Sequence, residues 1–186
     1  MNLRVDFDFI VTDNSDRPVQ ESSKDILITC TSIAYQQILP KSVIVVTNNP
    51  QFNTESFKKL ISELDTLYSS LGVKIKFINS LEGIPVEERL TDLGAKEVRH
   101  IFFSSWTAGK LVPKDFILKL MNTLQDGTKF IMINPSKDYN RVFSRILYQY
   151  VGGYRDGYAE EIIENMAKKE GNEHLVLEWK DINESA

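Results

Sequence analysis

The sequence predicts an α/β fold, a doubly wound and mostly parallel sheet of about six strands with helices on both faces. Two observations predict it. Apolar runs of strand length alternate with runs at helical spacing along the chain. The strand-length runs are short and rich in β-branched residues, as in Ser42-Val43-Ile44-Val45-Val46-Thr47, which suits strands buried on both faces. A chain of 186 residues, 42% of them hydrophobic, is long enough for one full core, so residues 1–186 are expected to form a single domain.

The elements follow in order. Leu3, Val5, Phe7 and Phe9 alternate with Arg4, Asp6 and Asp8 before Ile10-Val11, a first strand half exposed at its start. Ser22-Ser23-Lys24-Asp25 has capping-box spacing, and Ile26, Leu27, Cys30, Ile33, Ala34 and Ile38 behind it share one helical face, closed by Pro40. Ser42–Thr47 is the second strand. Phe57, Leu60, Ile61, Leu64, Leu67 and Leu71 make an amphipathic helix ended by Gly72. Val73–Ile78 is a third strand whose alternating lysines place it at a sheet edge.

A short helix is expected from Pro85 to Leu93, stopped by Gly94, and a fourth strand over Val98–Ser104. Pro113 opens the next helix, with Phe116, Ile117, Leu120 and Leu124 as its buried face and Gly127 as its stop. Lys129–Asn134 is the fifth strand. Tyr139, Val142, Phe143, Ile146, Leu147 and Tyr150 read as one helix, and Tyr158, Ile162, Ile163 and Met166 as another. His174–Trp179 closes the chain as a strand. Because two helices precede it, it is expected to run antiparallel.

Composition excludes several classes. The net charge of −4 gives no general attraction to nucleic acid or to an anionic membrane surface. The single Cys30 rules out an internal disulfide, and no Cys/His cluster is spaced for zinc or iron–sulfur. The N-terminus lacks a secretory pattern and no apolar stretch reaches membrane-spanning length, so an intracellular location, cytoplasmic or nuclear, is expected.

In open α/β sheets ligands sit at the carboxyl ends of the strands. The candidates there are Asp13, Asn14 and Ser15, then Asn48 and Asn49, Asn79 and Ser80, Ser104, Ser105 and Trp106, and Asn134. Asp13-Asn14-Ser15-Asp16 offers hard oxygen ligands but too few for a metal site, so it reads as a turn and no metal is expected. His100 and His174 both begin strands, the wrong end for catalysis, and no catalytic residue is assigned. Arg145, Tyr150, Tyr154 and Arg155 belong to an aromatic and arginine-rich stretch of the kind favoured at interfaces, so a protein partner is expected there.

Residues 42–135 resemble the class I S-adenosylmethionine-dependent methyltransferase superfamily. Ser42–Pro50 looks like its second strand and turn, Val73–Ser80 like its third strand with the residues flanking adenine, and Val98–Trp106 like its fourth-strand motif. Phe116–Asn134, with Leu124-Gln125-Asp126-Gly127, is similar to its helix, turn and fifth strand. The chain departs from the family in two places. Residues 12–21 contain no glycine, where the family has a glycine-rich cofactor loop, and Asn48 stands where the family has a ribose-binding acid.

The resemblance therefore implies a degenerate methyltransferase-like domain, a pseudoenzyme without cofactor that serves as a protein-interaction or regulatory module. An alternative is an active methyltransferase that binds S-adenosylmethionine through an unusual loop at Asp13, Asn48 and Ser104. Another is a von Willebrand A-like interaction domain, since Asp13-x-Ser15 begins that family's metal motif and Arg17 interrupts it. A short-chain-dehydrogenase relationship, suggested by Phe102–Gly109, fails for want of a glycine-rich loop and a Tyr-x-x-x-Lys pair.

Overall fold

The computed structural model describes residues 5–14, 17–80, 87–124, 132–134, 142–154 and 176–178. Strand β1 (Phe7–Asp13) leads through α1 (Val19–Ala34) to β2 (Ser42–Thr47), then α2 (Glu55–Ser70) and β3 (Lys74–Asn79). Helix α3 (Glu87–Ala95), β4 (Phe102–Thr107), α4 (Phe116–Leu124) and β5 (Met132–Asn134) follow. The described chain ends with β6 (Val142–Ser144), α5 (Arg145–Val151) and β7 (Val176–Glu178). The sheet runs β3-β2-β1-β4-β6-β5-β7.

The predicted α/β class holds, with a mostly parallel sheet. β1 pairs in parallel with β2 and with β4, so the chain reverses its direction across the sheet between β1 and β4. Edge strand β3 pairs with β2, and its Lys74 and Lys76 are exposed, as the alternating lysines indicate.

Side chains of β1 alternate between two cores. Phe7, Phe9 and Val11 join the larger one, with Ile26, Cys30 and Ile33 of α1, Phe57, Leu60 and Leu64 of α2, and Phe116 and Leu120 of α4. Ile10 joins the smaller one on the opposite face, with Ile44, Val46, Leu90, Phe103, Phe143 and Tyr148. Cys30 is fully buried, and burial pushes its thiol well above the ordinary range, so it is an inert core residue. Among the described residues no helix is long and apolar enough to cross a membrane.

Several elements differ from expectation, the first three for a local reason. β1 is buried throughout, including Asp8, which was expected to be exposed. Asp8 is tolerated because four donors reach it: Ser42 Oγ at 2.6 Å, His100 Nδ1 at 2.7 Å, and the backbone N–H groups of Arg99 and His100 at 3.0 and 3.1 Å. The same capture takes Arg99 and His100 out of the sheet, so the fourth strand starts at Phe102 rather than Val98. Helix α1 starts after Pro18, three residues before the expected cap, because the Pro18 carbonyl accepts from Glu21 and Ser22 N–H.

The fourth difference is the largest. Val142–Ser144, expected within a helix, is strand β6, wedged antiparallel between β4 and β5. β7, expected antiparallel, pairs in parallel with β5. The expected helix at Tyr158–Met166 lies outside the described residues.

Gly94, expected as a helix stop, lies inside α3 and lets that helix approach β1. An added Cβ would sit 2.6 Å from Ile10 Cγ2 and 3.2 Å from two further Ile10 carbons. Gly94→Ala gains about 1 kcal/mol of helix propensity, but overpacking a fully buried neighbour costs about 1–3 kcal/mol. Net destabilisation in urea denaturation is expected, partly relieved by adding Ile10→Val. A net stabilisation by Gly94→Ala would refute this packing account.

Candidate functional site

The crevice at the β1/β4 reversal is where open α/β sheets bind ligands. Asp13 ends β1 there, with its side chain only 1% exposed. Its Oδ2 accepts hydrogen bonds from Ser22 Oγ of α1 and Thr47 Oγ1 of β2, the latter at 2.8 Å. Among the described residues its Oδ1 has no hydrogen-bond partner, and it lies 4.0 Å from the Arg17 guanidinium. Burial raises the Asp13 carboxyl above its ordinary value. The two hydroxyls and Arg17 pull it back down, and the Asp25 charge pushes it up further.

Arg17 makes its shorter ion pair, 2.6 Å, with Asp25 on α1. The turn after β4 closes against the same group. Ala108 N–H donates to the Thr12 carbonyl at 2.8 Å, and Gly109 N–H to the Asp25 carbonyl at 2.9 Å. Gly109 has φ +92°, and a Cβ there would lie 3.2 Å from the Asp25 carboxyl carbon. Glycine therefore answers both a positive φ and a close approach. Thr29 Oγ1 adds a 2.7 Å bond to the Lys110 carbonyl.

The second wall is the β2–α2 turn. Asn48 Nδ2 donates to Asn14 Oδ1 at 2.7 Å on the exposed rim. Asn49 is fully buried, donates from Nδ2 to the Arg17 carbonyl at 3.3 Å, and accepts the Gln51 N–H at 2.9 Å. Gln51 Oε1 in turn accepts the first N–H of α1 from Val19 at 3.3 Å. These bonds hold the Arg17 loop against the sheet edge.

Several predicted site residues meet here. Asp13, Asn14 and Asn48 are in one hydrogen-bonded group. Asn79 lies opposite Thr47 in register, and Ser80 N–H donates to the Thr47 carbonyl at 2.8 Å. Ser15 lies outside the described residues, and of the Asn134 side chain nothing is described. Ser104, Ser105 and Trp106 are inside β4 rather than past it, a consequence of the later start of that strand. They pair with Phe9, Ile10 and Val11, short of the strand end. Trp106 packs edge-on to Phe116 in the larger core, with ring centroids 5.3 Å apart. Ser105 Oγ is 2.8 Å from Thr91 Oγ1 on the other face.

The described residues of the predicted partner stretch differ in exposure. Tyr150 is 76% exposed, whereas Tyr154 packs on Phe143 and Tyr148 and donates its N–H to Asp92. Arg145 is half-buried, and Arg155 lies outside the described residues. Sequence reasoning missed Ser22, Thr47, Arg17, Asp25 and Gly109 as members of the site. In the sequence Ser22 reads as a cap, and Arg17 only as the interruption of a motif. The four-residue spacing of Asp13 and Arg17 was the one signal that linked them.

The sequence matches no protein-family model and no curated protein. Its fold does match solved glycosyltransferases. S. aureus TarS 1-349 superposes with a TM-score of 0.57 at 12% identity, over 77% of this chain and 48% of that one. The mannosyltransferase PcManGT from Pyrobaculum calidifontis, solved with GDP-Man and Mn2+, gives 0.57 at 13% identity, over 78% and 46%. M. tuberculosis glucosyl-3-phosphoglycerate synthase gives 0.55 at 9% identity, over 92% and 69%. The chain thus spans about half the length of the first two. TarS has also been solved with UDP and with UDP-GlcNAc.

These matches overturn the methyltransferase resemblance and the readings built on it. The neighbours are GT-A-type glycosyltransferases, so the expectations of a cofactor-free pseudoenzyme, an S-adenosylmethionine site and a von Willebrand A-like or other interaction module all fall. The physical reason is that residues 42–135, which carried the resemblance, form β2 to β5, a pattern of alternating strands and helices common to doubly wound folds. Strand β6, which gives this sheet its own order, lies beyond them.

The donor set at the crevice does not suit a cation such as the Mn2+ of PcManGT. Mn2+ favours octahedral coordination by oxygen ligands, carboxylates among them. Among the described residues no group of three His, Cys, Asp or Glu side chains converges. Asp13 and Asp25 are both turned to Arg17, and the turn after β4, Ala108-Gly109-Lys110, carries no acid. At these identities the likeness is one of fold alone, and the carboxyl edge of this chain's sheet is built from Asp13, Arg17, Asp25, Asn48 and Gly109.

Proposed function

We propose that residues 1–186 are the nucleotide-sugar-binding domain of a glycosyltransferase. The observation that carries this reading is the fold likeness to three glycosyltransferases over 77%, 78% and 92% of this chain. The polar carboxyl edge at the sheet reversal supports it, since that is where a nucleotide fits an open α/β sheet. Asn14 and Asn48 lie on the exposed rim, and their amides both donate and accept, which suits a nucleobase edge or ribose hydroxyls. Arg17 supplies the positive charge for the diphosphate. Asp13 is a positioning residue, buried beneath this surface and holding β1, β2 and α1 together.

Calorimetric titration of the chain with UDP-GlcNAc and GDP-mannose, beside S-adenosylmethionine, tests the proposal. Saturable micromolar binding of one nucleotide sugar is expected, with no heat from S-adenosylmethionine. Asn48→Ala is expected to weaken that binding by about 1 kcal/mol, the worth of a hydrogen bond or two at an exposed rim. No binding of any nucleotide or nucleotide sugar would overturn the reading.

A further inference from the structure

We infer that Arg17, and not a divalent cation, neutralises the diphosphate, so that nucleotide binding by this chain is independent of metal. The inference rests on the nucleotide-sugar reading above and goes beyond it by naming the charge at the site.

Three observations carry it. First, the guanidinium already stands between the two carboxylates of the crevice, 2.6 Å from Asp25 and 4.0 Å from Asp13. A divalent ion drawn to the same pair would meet that positive charge at contact range and would have to displace it. Second, Asp13 can offer a metal one oxygen at most, and that oxygen is buried 4.0 Å from the Arg17 guanidinium. The other oxygen accepts two hydroxyl donors. Third, the turn after β4 contributes a positive residue, Lys110, and Gly109, where a side chain is barred by φ +92° and by the approach of Asp25. Among the described residues the turn after β4 therefore has no acid with which to complete a cation site.

Arg17 is suited to exchange partners. Its side chain is 47% exposed, while its loop is held by Asn49 through the Arg17 carbonyl. An ion pair that meets solvent is weak. A planar guanidinium gives two parallel N–H donors to a phosphate, a match the ammonium of lysine does not reproduce. Diphosphate binding would draw Arg17 from Asp25 while the backbone that carries it stays fixed.

The test is titration of the full chain with UDP and GDP, and with uridine and guanosine, in EDTA and then with added Mn2+. Mn2+ alone is titrated and followed by electron paramagnetic resonance. The expected result is nucleoside-diphosphate affinity that changes less than about twofold between EDTA and Mn2+, with no stoichiometric Mn2+ site. Arg17→Ala is expected to weaken diphosphate binding by about tenfold or more and to leave nucleoside binding unchanged, with Arg17→Lys in between. A thermal melt checks that each variant is folded.

Saturable binding of Mn2+, or diphosphate binding that appears only with Mn2+, would overturn this inference and leave the nucleotide-sugar reading standing. So would an Arg17→Ala variant that binds diphosphate as tightly as the native chain. Failure of every nucleotide in both conditions would overturn both.

Discussion

Asp8→Ala is expected to destabilise the chain by about 2–4 kcal/mol, because it strands buried donors rather than merely deleting a contact. Asp8 is fully buried in β1, the strand that pairs with both β2 and β4. Its carboxylate accepts two side-chain donors, Ser42 Oγ and His100 Nδ1, and two backbone N–H groups, those of Arg99 and His100. The backbone donors cannot turn away, and they lie in the segment that joins α3 to β4. Removal of Asp8 therefore loosens the entry to β4, and β4 carries the far wall of the crevice. His100→Ala removes one side-chain donor from a partly exposed position and leaves the other three, so a loss of about 1 kcal/mol is expected. Urea denaturation of both variants checks the ranking. An Asp8→Ala loss no larger than that of His100→Ala would show that the backbone donors find water instead.

Asp13 is expected to make stability depend on pH in the sense opposite to an ordinary ion-paired carboxylate. Burial holds its folded-state value above the ordinary 3.8. Between 3.8 and that raised value the folded chain keeps a proton that the unfolded chain has released. Stability from this group therefore falls as pH rises through the window, and above it the penalty is full. Asp13→Asn does not titrate, and its amide oxygen still accepts from Ser22 and Thr47. The melting temperature of Asp13→Asn relative to the native chain is expected to rise as pH is raised from 3.8. A difference that stays constant, or moves the other way, would show that the hydroxyls and Arg17 outweigh burial. Asp13→Ala is expected to cost about 1–3 kcal/mol, since the buried Ser22 and Thr47 hydroxyls lose their acceptor.

Much of the sheet was legible before any coordinates. Ser42–Thr47 is legible because six β-branched or hydroxyl-bearing residues in a row have few other uses. The edge position of β3 followed from its lysines. Helix α2 was legible because its apolar residues repeat over four turns and end at Gly72, whose φ is +66°. β6 was not legible. Val142 and Phe143 also fit the helical spacing of Tyr139 to Tyr150, and a three-residue strand has too short a period to compete with it.

Part of the crevice was legible as well. Asp13, Asn14, Asn48 and Ser80 lie at the expected edge because polar residues at or directly after strand ends fall on one edge of a parallel sheet. Ser104, Ser105 and Trp106 were set at that edge by the same rule, applied to a strand whose start was four residues too early. What moved the strand was Asp8, some 90 residues away in the chain, which claims the N–H groups of Arg99 and His100.

The sequence by itself determined the α/β class, the buried centre and exposed edge of the sheet, and the polar character of its carboxyl end. These follow from local periodicity, which a single chain displays in full. Only the tertiary structure decided the strand order, because order depends on pairings between distant segments such as β4 and β6. It also decided that Arg17 faces Asp13 and Asp25 together. Those two acids are twelve residues apart in the chain, on a strand and on a helix, and only the packing of α1 against the end of β1 brings their charges to one cation.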